Sequence, residues 1–332
     1  MRTVPNWVAL LAIAGAAIGS TALLAQPGST DSGQPYPWKV IQIIVPSPAG
    51  SPPDVRAREI AEKIAPALGQ PVIIVNKPGA GGAIGMQAAA ASPADGHTIV
   101  FCTDAPLTIN TSLYDQLPYD PVKDFAPIML VHQLPLLLVA NPLIHANSVP
   151  ELIQLARHQP GKLLYGSAGN GTPPHILADL FKFTAGLDVV HVPYKGGPPA
   201  TMALLSGEVS YTFDAVSQVL PHVKAGKLKA LAVTGDKRLA VLPNVPTFAE
   251  VRVPGMNVSW SAFVAPAGTP HDVLMRLNRE IARVLNSPAL KAYYETIGIT
   301  VIASSPEELT KRIADETPKW REVVKRAGIT PG

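Results

Sequence analysis

One stretch of the chain carries the clearest architectural signal: Leu164-Tyr165-Gly166-Ser167-Ala168-Gly169-Asn170-Gly171-Thr172-Pro173-Pro174-His175. An apolar, strand-like run ends at Tyr165, small residues follow, and a proline pair opens an amphipathic helix over Ile176–Thr184. Small residues let backbone N–H groups approach a guest closely, and the N-terminus of a helix adds the positive end of its dipole. The pattern of strand, turn and helix therefore predicts a cradle for an anion.

A cruder copy of this pattern occurs earlier in the chain. The apolar run Val40–Val45 predicts a buried parallel strand, the loop Pro46–Pro53 follows, and a helix is predicted from Asp54 to about Leu68. We expect the two cradles to lie on two lobes that close on one small anionic molecule.

Prolines limit the donors that each cradle can offer, because they have no N–H: Pro52, Pro53, Pro173 and Pro174. The contacts to an anion are therefore expected from Ala49, Gly50 and Ser51 on one side. On the other side they are expected from Ser167 to Thr172.

Strands alternate with helices along most of the chain. The strands Val40–Val45, Val72–Val75 and His97–Thr103, with helices between them, predict a parallel sheet covered on both faces. Residues Asp104–Lys123 are predicted as a loop. A second alternation begins near Leu136–Ala140.

The chain is predicted to return to the first sheet with a strand near Val258–Ala265 and three late helices. We therefore predict an α/β fold with two lobes, in which residues 35–138 and 256–332 form lobe 1 and residues 139–255 form lobe 2. Ligands of open α/β sheets bind beyond the carboxyl ends of the strands. The loops at those ends are Pro46–Pro53, Thr103–Leu107, Gly166–Pro174, Pro193–Pro199 and Asp214–Ser217.

Composition excludes some classes of protein. The chain has 332 residues, 47% of them hydrophobic, and a formal charge of +3. Lysine and arginine form no cluster, so a nucleic-acid partner is not expected. The single cysteine, Cys102, cannot form an internal disulfide and is expected to be buried.

The first residues predict a signal peptide over residues 1–26. Arg2 gives a positive start, Trp7–Ala25 is apolar or small throughout, and Gln26–Gln34 is a polar exit. Cleavage near Ala22 to Gln26 would release the chain into the periplasm. The alternative is a single membrane anchor, since the run is near the lower length for a span.

Patterns typical of enzymes are incomplete. Gly79-Ala80-Gly81 follows a strand like a dinucleotide fingerprint, but Ile84 stands at the position where the last glycine is expected. Ser167 lacks the flanking pattern of a nucleophile elbow, and the eight histidines are scattered. We therefore expect a protein that is not an enzyme, with no cofactor and no metal.

Three polar residues near the cradles have structural as well as functional interpretations. Asp54 is a capping carboxylate or a ligand contact. Asp214 ends a strand and either caps the next helix or receives an amino or hydroxyl donor from the ligand. A histidine at a helix start, such as His175, is more often a capping or surface residue than a catalytic one.

The chain also resembles the Bug-type (TctC-like) extracytoplasmic solute receptors of tripartite tricarboxylate transporters, from about Tyr36 to Gly332. The resemblance rests on several runs in order: Tyr36-Pro37-Trp38-Lys39, Asn76-Lys77-Pro78-Gly79-Ala80-Gly81-Gly82, Leu117-Pro118-Tyr119-Asp120-Pro121-Val122-Lys123-Asp124-Phe125, Ser167-Ala168-Gly169-Asn170-Gly171-Thr172, His191-Val192-Pro193-Tyr194-Lys195-Gly196, Phe213-Asp214, Lys224-Ala225-Gly226-Lys227-Leu228 and Ala265-Pro266-Ala267-Gly268-Thr269-Pro270.

The resemblance implies a two-lobed periplasmic binding protein fold of type II (Venus flytrap) and no catalysis. It implies a small carboxylate ligand, held largely by backbone donors and water, and membrane permease subunits as partners. Carried over by position, the ligand-binding residues are Pro48, Ala49, Gly50, Ser51, Asp54, Thr103, Asp104, Ser167, Ala168, Gly169, Asn170, His175, Tyr194 and Asp214. We expect a monomer.

Two departures from the family pattern bear on the ligand. Gly50-Ser51-Pro52-Pro53-Asp54 stands where the family usually has Gly-Gly-Gly-Thr-Asp, and Asp104 replaces a small neutral residue. A carboxylate at Asp104 would repel a second acid group, which favours a monocarboxylate or amphoteric ligand over a tricarboxylate. Two other function classes stay open: a receptor that reports ligand occupancy to a sensor kinase, and an exported enzyme.

Overall fold

A computed structural model describes residues 35–331, and the predicted signal peptide lies outside the described residues. Within this range the strands form two sheets. The first sheet has the strand order β11-β4-β10-β3-β1-β2. Its strands are β1 Ile41–Val45, β2 Val72–Asn76, β3 Thr98–Thr103, β4 Phe125–Leu134, β10 Ser259–Pro266 and β11 Thr300–Val301.

The second sheet has the order β7-β6-β8-β5-β9. Its strands are β5 Leu136–Ala140, β6 Leu164–Ser167, β7 Val190–Pro193, β8 Tyr211–Ala215 and β9 Lys229–Val233. As predicted, β1 is parallel to β2 and β3. β10 in the first sheet and β5 in the second run antiparallel to both neighbours, because each enters from the other half of the molecule, and β11 is antiparallel to β4.

Ten helices surround the sheets in the described part of the chain: α1 Pro52–Leu68, α2 Ala83–Ala90, α3 Asn110–Leu113, α4 Val149–His158, α5 Pro173–Ala185, α6 Gly197–Ser206, α7 Val216–Lys224, α8 His271–Leu285, α9 Pro288–Thr296 and α10 Pro306–Ala327. Apolar side chains recur along α1 at Ile60, Ile64 and Leu68, and along α8 at Leu277 and Ile281. These stripes pack in the core of the first sheet. Between residues 35 and 331, no helix is both long and apolar enough to be a membrane span.

The chain passes twice between the sheets. Pro135 alone separates β4 from β5, and residues 234–258 lead from β9 back to β10. Proline has no N–H for a ladder hydrogen bond, so it ends one strand and lets the next begin in the other sheet.

Several helices begin earlier than predicted. The structure starts α1, α5 and α6 at Pro52, Pro173 and Gly197, with prolines in the first turn of each. These prolines were expected to lie in loops. Proline is well suited to the first turn because the N–H groups there have no partner within the helix.

The prediction of a loop over Asp104–Lys123 was wrong for its first part. A π-helical turn spans Ala105–Ile109 and continues into α3. The Asp104 carboxylate accepts the Ala105 N–H at 3.1 Å, while Ile109 and Leu113 are buried. The helix α7 was also not predicted, since Asp214–Ser217 were assigned to a loop and Pro221 lies inside the helix.

The first sheet offers a test of its core. We expect Ile43→Ala to lower the free energy of unfolding by about 2–5 kcal/mol, because Ile43 is fully buried between helices and its truncation leaves a cavity. Ile73→Ala on the adjacent strand β2 is the matched control, because Ile73 is 44% exposed. Urea denaturation measures both variants, and equal losses would contradict this account of the core.

Candidate functional site

A cavity of about 100 Å³ lies between the two sheets. The first half of the molecule contributes the loop after β1, the end of β3 and the start of β10, through Ser51, Thr103 and Ser259. The second half contributes the turn after β6 and the end of β8, through Ala168 and Asp214. The two predicted cradles therefore line the same cavity. A wider cleft of about 800 Å³ shares Pro48, Ala168 and other lining residues with it.

Three helices begin at the wall of this cavity. The first turns of α1 and α5 line it through the proline pairs Pro52-Pro53 and Pro173-Pro174, and α6 lines it through Gly197. The N-terminal end of a helix carries partial positive charge, so three such ends make the cavity favourable for an anion.

Basic side chains do not supply this charge. Among the described residues that line the cavity there is no lysine, arginine or histidine. The hydroxyl groups there belong to Ser47, Ser51, Thr103, Thr172 and Ser259. Most of the remaining lining is proline, alanine, glycine and leucine, so the wall is largely apolar.

Asp214 is the one carboxylate in the lining, again among the residues described. It is 4% exposed and accepts hydrogen bonds from Ala215 N–H at 2.8 Å, Thr201 Oγ1 at 2.6 Å and Gln218 Nε2 at 3.1 Å. Burial raises the pKa of Asp214 to about 7 although these donors oppose the shift. A neutral Asp214 is an acid that can donate to a ligand, while the ionised form repels an anion.

Asp104 directly follows β3, and Asp214 is the last residue but one of β8, but the Asp104 carboxylate does not line the cavity. It accepts the Ser259 hydroxyl at 2.7 Å and faces a separate pocket that also contains Glu316. Burial, with a smaller contribution from Glu316, raises the pKa of Asp104 to about 7. The carboxylate that lines the cavity is therefore that of Asp214, and the repulsion of a second acid group by Asp104 stays a prediction.

Asp54 organises the first cradle from behind. Its carboxylate accepts Gly50 N–H at 2.8 Å and Asn76 Nδ2 at 2.8 Å, and Arg58 forms an ion pair with it at 3.0 Å. Burial alone would raise the pKa of Asp54, but these partners outweigh burial and hold the pKa below its usual value. Because Gly50 N–H is used internally, it is not free to donate to a ligand in this conformation.

Two stacked histidines organise the second cradle. His175 and His191 have ring centroids 4.4 Å apart. His175 Nδ1 accepts Gly171 N–H at 3.2 Å, and Ser167 Oγ lies 2.7 Å from His191 Nε2 while accepting Gly169 N–H. Ser167 is therefore engaged in holding the turn.

Asp179 fixes the orientation of this network. Its carboxylate lies 3.4 Å from His175 Nε2 and accepts the Tyr165 hydroxyl. Burial lowers the pKa of His175, and burial together with His175 lowers the pKa of His191 to about 4. Both rings are neutral at pH 7, which leaves His175 Nδ1 free to accept a hydrogen bond.

The predicted site residues thus fall into three groups. Five line the cavity: Pro48, Ser51, Thr103, Ala168 and Asp214. The wider cleft is lined by Pro48 and Ala168 again and by three more: Gly169, Asn170 and Tyr194. Six lie behind the wall or in neighbouring structure: Ala49, Gly50, Asp54, Asp104, Ser167 and His175.

Other lining residues were not predicted. Gly81 belongs to the glycine run after β2, and Pro106 follows Asp104 in the π-helical turn. The proline and glycine content of these turns was the available signal. Ser259 carried no local signal, because it reaches the cavity on β10 from a distant part of the chain. In the described chain, no group of three acidic, histidine or cysteine side chains is placed to hold a metal.

The raised pKa of Asp214 has a consequence for stability. A folded-state pKa above the unfolded value of about 3.8 gives stability that is lost as the pH rises through 7. We expect the unfolding free energy of the parent protein, relative to Asp214→Asn, to fall between pH 5 and pH 8. Urea denaturation at four pH values measures this difference. Asp188→Asn, at an exposed position, is the control, and a difference for Asp214→Asn that does not change with pH would contradict the assignment.

Comparison with known proteins places the chain in a family. The model described as the tripartite tricarboxylate transporter family receptor matches residues 56–329. Protein BugT of Bordetella pertussis is 38% identical over 325 residues, which cover 97% of this chain and 98% of that protein.

Two solved structures extend the comparison to three dimensions. R. palustris Rpa4515 with adipate has 34% identity and a TM-score of 0.85, covering 89% of this chain and 99% of that one. MatC from Rhodopseudomonas palustris with bound malate has 30% identity and a TM-score of 0.83, covering 87% of this chain and 100% of that one. The resemblance drawn from the sequence is confirmed: the chain belongs to the tripartite tricarboxylate transporter receptor family, with the Bug-type periplasmic solute receptors.

Proposed function

We propose that the mature protein is a periplasmic receptor that captures a small organic carboxylate between its two halves. It then delivers the ligand to the membrane permease subunits of a tripartite transporter. The observation that carries this proposal is the cavity. It is enclosed by strand ends and helix N-termini from both halves of the molecule. The protein acts by binding and release, without chemical change of the ligand.

The related structures support the ligand class. Rpa4515 holds adipate and MatC holds malate, and both molecules are carboxylates. A carboxylate in the present cavity would meet the positive ends of α1, α5 and α6, and the hydroxyls of Ser47 and Thr103. These groups are fixed dipoles, so they need little rearrangement when the anion enters. The hydroxyls of Ser51, Thr172 and Ser259 already donate to Pro48, Gly169 and Asp104.

We infer that residues 35–138 with 256–332 and residues 139–255 move as two lobes around the ligand. The pairing of β5 within the second sheet along its whole length supports a first passage at Pro135, ahead of the expected boundary after residue 138. The second passage lies before β10. Closure by rotation about such passages is a common mode in two-lobed receptors.

The cavity favours a ligand with one carboxylate and an otherwise uncharged body. Proline pairs remove N–H donors from the starts of α1 and α5, and α6 has Pro198 and Pro199 after its first residue. One anionic group can be met by the dipoles and hydroxyls. A second would face an apolar wall and the Asp214 carboxylate, and leaving a charge unpaired in such a wall is costly. A hydroxyl or amine on the ligand could instead donate to Asp214.

A six-carbon series tests this function and its ligand class. Hexanoate, 6-hydroxyhexanoate and adipate share a chain length, and citrate adds a tricarboxylate. Calorimetry at pH 7.5 on the protein without residues 1–26 is expected to give the tightest binding for 6-hydroxyhexanoate and the weakest for citrate. Asp214→Asn should improve adipate binding relative to hexanoate by about tenfold, the size of one charge-assisted interaction.

Binding of none of the four compounds would contradict the proposed ligand class. Citrate as the tightest ligand, with no effect of Asp214→Asn, would contradict the preference for a single carboxylate. NMR spectra of the recovered compounds should show them unchanged, whereas turnover would support an enzyme.

The prolines themselves provide a second test. Pro53→Ala and Pro174→Ala each return one N–H to a helix start at the cavity, so we expect the ratio of adipate to hexanoate affinity to rise several-fold, towards about tenfold. Pro150→Ala is the matched control, because Pro150 occupies the first turn of α4 and does not line the cavity. The same ratio in all three variants would show that missing donors do not limit binding of a second carboxylate.

A further inference from the structure

The glycine run after β2 does not fit a nucleotide-binding loop, and it lines the wider cleft. Gly79, Gly81 and Gly82 have φ values of +123°, +58° and +94°, and all three line the wider cleft. Gly171, in the turn after β6, has a φ of +74°. These two segments belong to different sheets and meet across the cleft.

Gly81 and Gly171 are in direct backbone contact. A Cβ on Gly81 would lie 3.1 Å from both the Cα and the carbonyl oxygen of Gly171, and 3.0 Å from Tyr114 Oη. A Cβ on Gly171 would lie 3.0 Å from the Cα of Gly81 and 2.7 Å from Tyr114 Oη. Because backbone atoms lie 3.0–3.1 Å from each of these Cβ positions, the facing backbone must move by a few tenths of an ångström, and rotation of a side chain alone cannot provide that movement.

Each side of this contact is held by a buried side chain of its own half. Asn110 is fully buried, and its Nδ2 donates to the Gly81 carbonyl at 3.1 Å. His175 is 2% exposed, and its Nδ1 accepts Gly171 N–H at 3.2 Å. A buried side chain thus holds each glycine from its own half, so we expect a methyl group between the glycines to separate the halves.

We propose that Gly81 and Gly171 form the contact that sets how far the cleft closes, and so act as positioning residues for ligand retention. This inference rests on the proposed function, because it concerns release of a ligand bound between the halves. Neither glycine needs to contact the ligand. Because neither residue has a side chain, the two backbones can meet across the cleft and close it to solvent.

The chain offers matched controls for the strain of a positive φ. Gly186 has a φ of +59° and Gly69 has a φ of +70°, and a Cβ on either would meet no atom within 4 Å. Gly186→Ala therefore matches Gly81→Ala in backbone conformation, and Gly69→Ala matches Gly171→Ala. Any difference within a pair reports the contact across the cleft.

Opening is measured without a ligand. Spin labels are attached at Glu62→Cys on α1 and Lys224→Cys on α7, which are both exposed positions. Pulsed electron paramagnetic resonance then measures the distance between the two halves. The native Cys102 is buried and should not label. We expect Gly81→Ala and Gly171→Ala to shift the distance distribution away from the parent's shortest population, and the two control variants to leave it unchanged.

Release is measured by stopped-flow mixing with 6-hydroxyhexanoate. We expect about tenfold faster dissociation for Gly81→Ala and Gly171→Ala than for their controls, with little change in the association rate. The dissociation rate of the double variant should rise by less than the product of the two single increases, because one methyl group already separates the backbones. Adding Tyr114→Phe to Gly171→Ala should partly restore the slow dissociation of the parent, because it removes the atom closest to the new methyl group.

The outcomes separate this inference from the proposed function. Distance distributions and dissociation rates equal to those of the controls overturn the role of the glycine contact and leave the receptor function intact. A parent protein that binds no carboxylate overturns the function, while the ligand-free distances still decide whether the glycines set closure. Thermal melting identifies a variant that is merely unfolded, in which case the restored Gly171→Ala, Tyr114→Phe protein provides the decisive distances.

Discussion

Among residues 35–331, no lysine, arginine or histidine lines the cavity, and this constrains the rest of the site. A lysine or arginine could neutralise an anion from many positions, because its side chain is long and flexible. Helix dipoles act only near the end of the helix, so the starts of α1, α5 and α6 must all reach the same small volume. The two sheets, the strand ends and the turns after β1 and β6 together meet that geometric demand.

Buried polar groups keep these turns in place from behind. Asp54 accepts a hydrogen bond from a backbone N–H in the turn after β1, and His175 accepts one from the turn after β6. Each is in turn oriented by partners of its own, Arg58 and Asn76 for the carboxylate and Asp179 for the ring. The residues most conspicuous in the sequence thus support the wall, and smaller neighbours form its surface.

Local patterns in the sequence were sufficient to predict most strands and helices, since buried strands are apolar runs and helices carry stripes, but they missed α3 and α7. These patterns predicted both turns at one cavity, because ligand-binding loops of open sheets lie at the carboxyl ends of the strands. They could not separate Asp104 from Asp214. Both lie at the carboxyl end of a strand, but β10 arrives from far along the chain and supplies Ser259, whose hydroxyl donates a hydrogen bond to the Asp104 carboxylate. Such long-range packing leaves no trace in the residues around Asp104.

The two passages between the sheets differ greatly in length, and this asymmetry governs where the chain tolerates added sequence. Pro135 joins two buried strands directly, so even one extra residue there would alter the register on both sides. The return segment contains exposed positions such as Lys237 and Arg238, where a longer loop costs little entropy. A reporter domain inserted into that return segment would lie beside one of the two connections between the sheets.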